Sequence, residues 1–313
     1  MSLIPEGTVI DFLGKRKIAY VFSAILILIG IISIFGHEGL NYGIDFRGGT
    51  NVQLRFAEDP SLDRLREVFA TEGQGNVQLQ TFGDPTEREV LLILPVDSAL
   101  GKGEQLTKSI QELLGTEYPG MEVRRIETIG PKVGDELKYD ALYSIAVALG
   151  LVLVYITIRF QWRQGVAAII TLTHDVLVVV GLFSLFDKEF TLSVVAALLT
   201  VVGYSLNDTI VVFDRIRENQ GRFRKKPLID LMNLSITETL SRTILTSGTT
   251  LLVVIVLFVF GGEIIHDFSY ALLVGIVVGT YSSIYVASPM VMGLSKLEDT
   301  NASPPAQQKP NAA

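Results

Sequence analysis

The sequence predicts a polytopic α-helical membrane protein with one ferredoxin-like α+β domain between the first two of six spans. Three observations predict it. The chain is 49% hydrophobic over 313 residues, with a mean hydropathy of +0.42, more apolar than an ordinary soluble domain. Six apolar stretches are long enough to cross a bilayer, which takes about 20 residues. Residues 36–138, between the first two stretches, are polar and carry alternating strand-like and helix-like patterns.

The stretches are Ile18–Phe35, Ala141–Ile158, Val166–Phe186, Phe190–Phe213, Thr243–Gly262 and Phe268–Leu294. Lys15, Arg16 and Lys17 precede the first, as in a signal peptide. No small-residue cleavage site follows, so it reads as an uncleaved anchor. Basic residues cluster at 15–17, at Arg159 and Arg163, and from Arg215 to Lys226. The turns at Asp187–Glu189 and at Glu263 are short. By the positive-inside rule both termini are cytoplasmic and residues 36–138 lie outside. That exterior segment holds 18 Asp/Glu against 11 Lys/Arg from Glu38 to Lys138, but long segments cross largely regardless of charge.

The exterior segment reads β-α-β-β-α-β, the ferredoxin-like order. Asn51–Phe56 alternates as a strand. Ser61–Thr71 is a helix with a Ser N-cap and Leu62, Leu65, Val68 and Phe69 at helical spacing. Val77–Phe82 and Glu89–Leu94 are strands joined through Gly83, Asp84 and Pro85. Lys102–Leu114 is the second helix and Met121–Ile129 the last strand. The segment shows no nucleophile–base set. His37 sits at the membrane edge. Asn41–Thr50, with its three glycines, is a tight chain reversal across which Asp45 and Arg47 are placed to pair.

The domain plan is therefore 1–17 as cytoplasmic N-terminus, 18–35 as first span and 36–138 as exterior domain. Residues 139–294 hold the other five spans and a cytoplasmic loop at 214–241, and 295–313 form a disordered tail rich in Pro, Ala, Asn and Gln. Within the loop, Pro227–Leu240 reads as a short amphipathic helix lying on the membrane. A net charge of −7 argues against nucleic-acid binding. With no cysteine there are no disulfides or thiolate sites, and no metal or cofactor set is seen.

Function is argued from the carboxylates inside apolar sequence, which are costly at lipid depth and by default functional. Asp208 lies beside Asn207 in Val201–Asn219, about five residues from the cytoplasmic end of its span. Arg242 opens the next span at similar depth. Tyr204 and Ser205 share the face of Asp208, and Thr246 and Thr249 that of Arg242. Burial and a nearby guanidinium act on a carboxylate in opposite senses, so this stripe suits a group that loads and releases protons. It equally suits a permanent ion pair or hydrogen bonds that only join helices. His174 and Asp175 form a second constellation near the centre of the third span, with Thr171 one turn before. Adjacent helical residues do not share a face, so Asp175 alone is expected to point into the path. Gly275 and Gly279 make a GxxxG that permits close helix contact.

Four stretches carry a more specific signal: NYGIDFRGGT at 41–50, GPKVGDEL at 130–137, VVGYSLNDTIVVFDRIREN at 201–219 and SRTILTSGTTL at 241–251. Together, and in this order, they resemble the SecD/SecF family of bacterial protein-export membrane proteins, from Ile10 to about Leu294. The resemblance implies a six-helix half bundle of the resistance–nodulation–division (RND) type. It implies a proton-motive-force-coupled auxiliary subunit of the Sec translocase, in the bacterial cytoplasmic (inner) membrane, without hydrolytic chemistry. The implied partners are SecD on a separate polypeptide, the SecYEG channel with YajC and YidC, the exported unfolded polypeptide, and protons. Asp208 and Arg242 match the positions regarded as proton-path residues in that family, and Asp175, His174, Asn207 and Thr246 are added from the residues themselves. Two other readings stand beside it. An RND-type exporter of small molecules or lipids would need twelve spans and a larger exterior pocket. A non-transporting assembly factor would have no need of the intramembrane charges.

Overall fold

The computed structural model describes residues 5, 7–71, 77–83, 85–96 and 98–302. In chain order the helices and strands are α1 (Arg16–Gly36), α2 (Ile44–Arg47), β1 (Gly49–Arg55), α3 (Leu62–Thr71), β2 (Gln78–Phe82), β3 (Glu89–Leu94), α4 (Glu104–Leu114), β4 (Glu122–Ile129), α5 (Pro131–Arg159), α6 (Trp162–Leu185), α7 (Leu192–Arg222), α8 (Leu228–Phe260), α9 (Gly262–Ser282) and α10 (Ser288–Ala302). Among the described residues, six helices are long and apolar enough to cross a membrane, the last running from Ile265 to Ser295.

The exterior strands form one antiparallel sheet in the order β2-β3-β1-β4. This is what two β-α-β halves give when each helix crosses the same face. Val52 and Leu54 of β1 pack with Leu92 and Leu94 of β3 against Leu65 and Phe69 of α3 and Leu106, Ile110 and Leu114 of α4. The other face carries Asn51, Gln53, Gln80, Leu91 and Ile93. It looks onto a cleft of about 310 Å³ whose opposite wall includes Asp45, Glu189 and Asp267. The expected turn residue Asp84 and the tail residues 303–313 lie outside the described residues. Helical hydrogen bonding continues from Ser288 to Ala302, past the expected end of order at Leu294.

The chain reversal before β1 docks the domain on the bundle. Gly43 N donates to Phe190 O at 3.0 Å and Phe190 N to Asn41 O at 2.7 Å. Asp45 Oδ2 accepts the α7 backbone N–H of Leu192 at 2.8 Å, satisfying one orphan donor at that helix start. Asp45 therefore caps a helix, and among the described residues no ion pair joins it to Arg47. Residues two apart on a helical turn point away from one another, which is why the expected pairing fails. Gly134 of α5 abuts this turn; a Cβ there would stand 2.7 Å from Phe46 O.

Small residues set the helix crossings. Gly30 and Gly181 bring α1 and α6 into backbone contact, each leaving the other's added Cβ under 3 Å from a Cα. Gly275 and Gly279 lie against Val201 and Ser205 of α7, so the GxxxG is the α7–α9 seam. The segment Pro227–Leu240 is not a separate surface helix. It is the first part of α8, which runs unbroken through Leu240 into the span. No Gly or Pro interrupts 228–247, and Leu231, Met232, Ile236 and Thr237 are buried. The N-terminal segment secures that extension: Phe12 N and Leu13 N donate to Asn233 Oδ1 at 3.1 and 3.0 Å, and Ile10 N donates to Thr237 Oγ1 at 3.0 Å.

Candidate functional site

Asp175 and Asp208 are both enclosed, at 1% and 2% relative exposure. Asp175, about halfway along α6, accepts three hydrogen bonds. Ser205 Oγ of α7 donates to Oδ2 at 2.6 Å, Ser282 Oγ of α9 donates to the same oxygen at 2.9 Å, and His174 Nδ1 lies 2.9 Å from Oδ1. His174 is buried too, and among the described residues its Nε2 has no hydrogen-bond partner. Asp175 bonds across to α7 and α9, while His174 lines a groove with Phe22, Leu26 and Leu273. Both are enclosed by packed neighbours, and the imidazole folds back onto its own neighbour's carboxylate. Thr171 does not join them; its hydroxyl donates to Ala167 O at 2.8 Å.

Asp208, on α7, has a thinner shell. Ser247 Oγ of α8 donates to Oδ2 at 3.3 Å, and Thr280 Oγ1 of α9 donates to Ser247 Oγ at 2.9 Å. Arg242 is exposed and, among the described residues, makes no ion pair with Asp208. It lines a cleft of about 880 Å³ with Arg159, Asp214, Arg215, Glu218 and Glu238. Asn207 is exposed on the outer side of α7 and turns away from Asp208. Thr246 bonds back to the carbonyls of Arg242 and Thr243, at 3.0 and 3.1 Å. Tyr204 OH reaches Thr250 Oγ1 at 3.4 Å, so the tyrosine faces α8 and not the carboxylate.

Sequence reading missed Ser247, Thr280 and Ser282. Their signal is the run of hydroxyl residues in otherwise apolar spans, GTYSS at 279–283 above all. It also missed the π-turn Ser283–Ala287, which joins α9 to α10 directly after Ser282. Such turns recur at functional sites. Among the described residues, no group of three or more His, Asp or Glu is placed to hold a metal.

These features define a polytopic membrane protein: an RND-type half bundle with an antiparallel exterior domain and two carboxylates held in a hydroxyl-rich seam. Residues 109–297 match the family model "Protein export membrane protein SecD/SecF, C-terminal", and residues 33–59 match "SecD/SecF GG Motif". The chain is 50% identical over 289 residues to the protein translocase subunit SecF of Desulfurispirillum indicum, covering 90% of this chain and 91% of that one. It is 46% identical over 314 residues to that of Vibrio alginolyticus, covering 99% and 98%. The crystal structure of SecDF, a translocon-associated membrane protein from Thermus thermophilus, superposes with a TM-score of 0.79 at 39% identity, over 93% of this chain. SecDF in its super-membrane-facing form gives 0.72 at 39% identity, over 96%. This chain spans about two fifths of those SecDF chains. It belongs to the SecD/SecF family of protein-export membrane proteins, alongside the members named SecF.

Proposed function

We propose that this chain is a proton-coupled auxiliary subunit of the Sec translocase. It works in the cytoplasmic membrane with SecD and the SecYEG channel to draw unfolded polypeptide outward. YajC and YidC are further candidate partners. The observation that carries the reading is Asp208, a carboxylate enclosed in the bundle with, among the described residues, a single hydroxyl donor, one turn before Val211, which lines a cleft of mixed charge with Arg242. A buried charge is costly unless fully bonded, and one bond at 3.3 Å does not fully bond it. Such a group can exchange its proton with water entering the cleft. Arg242 stays charged at all relevant pH values and supplies the fixed positive field. One charge moved through the full field gains about 2.3 kcal/mol per 100 mV, comparable with the gap of a few kcal/mol between protein conformers.

Asp208→Asn removes the titration and keeps the shape and one accepting oxygen. In membrane vesicles with SecD and the channel, this variant should lose the stimulation of export by an imposed proton gradient, while ATP-driven export persists. Arg242→Met should do the same, and Asp175→Asn should give an equal or weaker defect. Wild-type stimulation in Asp208→Asn at equal abundance would return Asp208 to a joining role. The orientation is tested separately: reporter fusions after Gly120 and after Lys225 should fall in opposite compartments.

A further inference from the structure

The two carboxylates reach the same turn of α9 from opposite sides. Thr280 Oγ1 donates to Ser247 Oγ, the donor to Asp208, and Ser282 Oγ donates to Asp175. Each of these α9 hydroxyls also stands within bonding distance of a carbonyl of its own helix: Thr280 of Ile276 O at 2.8 Å, Ser282 of Gly279 O at 3.1 Å. A hydroxyl has one proton. Each can therefore serve the carboxylate side or the helix carbonyl at a given moment, not both.

Protonation decides which. A carboxylate only accepts, so Ser247 and Ser282 must point their protons at it. A protonated carboxyl carries its own O–H and needs an acceptor. At Asp175, Ser205 Oγ and Ser282 Oγ bond the same oxygen, and Ser282 is the one also within reach of a helix carbonyl, so it can accept while its own proton turns to Gly279 O. At Asp208 the acceptor is Ser247 Oγ, whose proton turns to Thr280 Oγ1, whose proton in turn goes to Ile276 O. Both reversals end on carbonyls of one helical turn. Gly279 O already accepts the N–H of Ser283, the first residue of the π-turn. Extra side-chain bonds to helix carbonyls bend helices. Loading one of these carbonyls alters the geometry offered to the other.

We infer that Thr280 and Ser282 are positioning residues that couple Asp208 to Asp175, so that the protonation of either carboxylate changes the affinity of the other for a proton. This deepens the proton-path reading above and rests on it. Among the described residues, the other titratable or charged groups toward the pair are His174 on Asp175, Tyr204, whose hydroxyl goes to Thr250, and Arg242, which makes no ion pair with Asp208.

The test is infrared titration of the full chain in lipid nanodiscs. The protonated-carboxyl band of Asp175 is assigned by its loss in Asp175→Asn and followed with and without Asp208→Asn. Coupling between sites is reciprocal and typically 5- to 150-fold. The expected result is that Asp208→Asn moves the Asp175 midpoint by about one pH unit, about tenfold in proton affinity. In a Thr280→Val background the same substitution should move it little. Thr280→Ser should restore the shift, and Ser282→Ala should abolish it where Thr280→Val fails to insert. A shift of equal size in Thr280→Val and Ser282→Ala means the carboxylates sense one another directly and overturns the inference, as does no shift with both hydroxyls in place. If neither band titrates across about pH 5 to 8, the proton-path reading falls with it. Two independent titrations would remove the coupling alone.

Discussion

The molecule keeps acidic groups in two places, and it handles them differently. In the membrane seam, Asp175 and Asp208 are surrounded by hydroxyl groups, with the imidazole of His174 beside Asp175 and, among the described residues, no lysine or arginine bonded to either. At the exterior rim, Asp45, Glu189 and Asp267 stand together around the cleft below the sheet. There Asp45 caps α7 and Asp267 pairs with Lys188 at 2.8 Å. The rim thus uses backbone N–H groups and a lysine beside water. The seam uses short side chains that let helices touch. A lysine or arginine at seam depth would need its own partner and would hold the helices apart. Serine and glycine do neither, so the seam meets its carboxylates with hydroxyls and close packing, whereas the rim meets Asp45 and Asp267 with a backbone N–H and a lysine.

Within the seam the two carboxylates also differ, and breaking them separately gives the largest expected effect. Asp175 has three partners and Asp208 has one. Hydrogen bonds between membrane helices average about 0.6 kcal/mol each. Asp175→Ala should therefore cost about 2 kcal/mol of bundle stability and Asp208→Ala about 0.6 kcal/mol. Unfolding in bicelles, monitored by circular dichroism against added denaturing detergent, measures both. Equal costs would mean that Asp208 is bonded as firmly as Asp175, and its thin shell could no longer be used to argue for exchange.

The seam's close approach can be sharpened from the glycine side. A Cβ on Gly279 would stand 2.9 Å from Ser205 Cβ, and Ser205 is the nearest donor to Asp175. Overpacking a tight contact costs about 1–3 kcal/mol, and Gly279→Ala should fall near the low end, about 1 kcal/mol, because α9 can shift a few tenths of an ångström. The shift should lengthen the Ser205–Asp175 bond, moving the Asp175 carboxyl band in the infrared. Gly275→Ala meets the Val201 side chain instead and should leave that band unmoved. A moved band in Gly275→Ala alone would reverse the assignment of the two glycines.

Sequence reading reached the architecture because its signals are local and strong: apolar length, the β-α-β-β-α-β alternation and basic residues at span ends. It named Asp208, Asp175, His174 and Arg242 because a charge in apolar sequence stands out. It did not name the partners that hold them, since Ser247 and Ser282 look like ordinary small residues of a membrane helix until a neighbouring helix is in place. It did not give the contact between His174 and Asp175, because helical spacing fixes where Cβ points but not where a long side chain ends. Pro227–Leu240 was read as a surface helix because its polar residues delay the apolar stretch to Thr243, well inside the helix that begins at Leu228. The cap from Asp45 to Leu192 spans 147 positions, beyond any local pattern.

The smallest effect concerns the rim, where Glu189, among the described residues, has neither a backbone N–H to cap nor an ion pair. Burial first, then the neighbouring charges of Asp267 and Asp45, push its carboxyl above the ordinary glutamate range, and Arg47 offsets this only in part. A carboxyl raised in the folded state binds its proton more tightly there than in the unfolded chain. Below the ordinary glutamate range both states hold the proton and Glu189 has no effect on stability. As pH rises from that range through the raised value, the unfolded chain releases its proton first, so stability falls. Above the raised value the loss is complete and constant. Glu189→Gln should remove this slope, leaving the variant more stable than wild type at neutral pH and equal to it in acid. Thermal unfolding of the full chain in nanodiscs at a series of pH values measures the difference. The exterior domain's own transition is the one to follow, because Glu189 faces the cleft under its sheet. A flat difference across the series would mean that Glu189 is hydrated and ionised like a surface acid. The contrast between rim and seam would then be wider still, with every rim carboxylate settled by water, a backbone N–H or a cation.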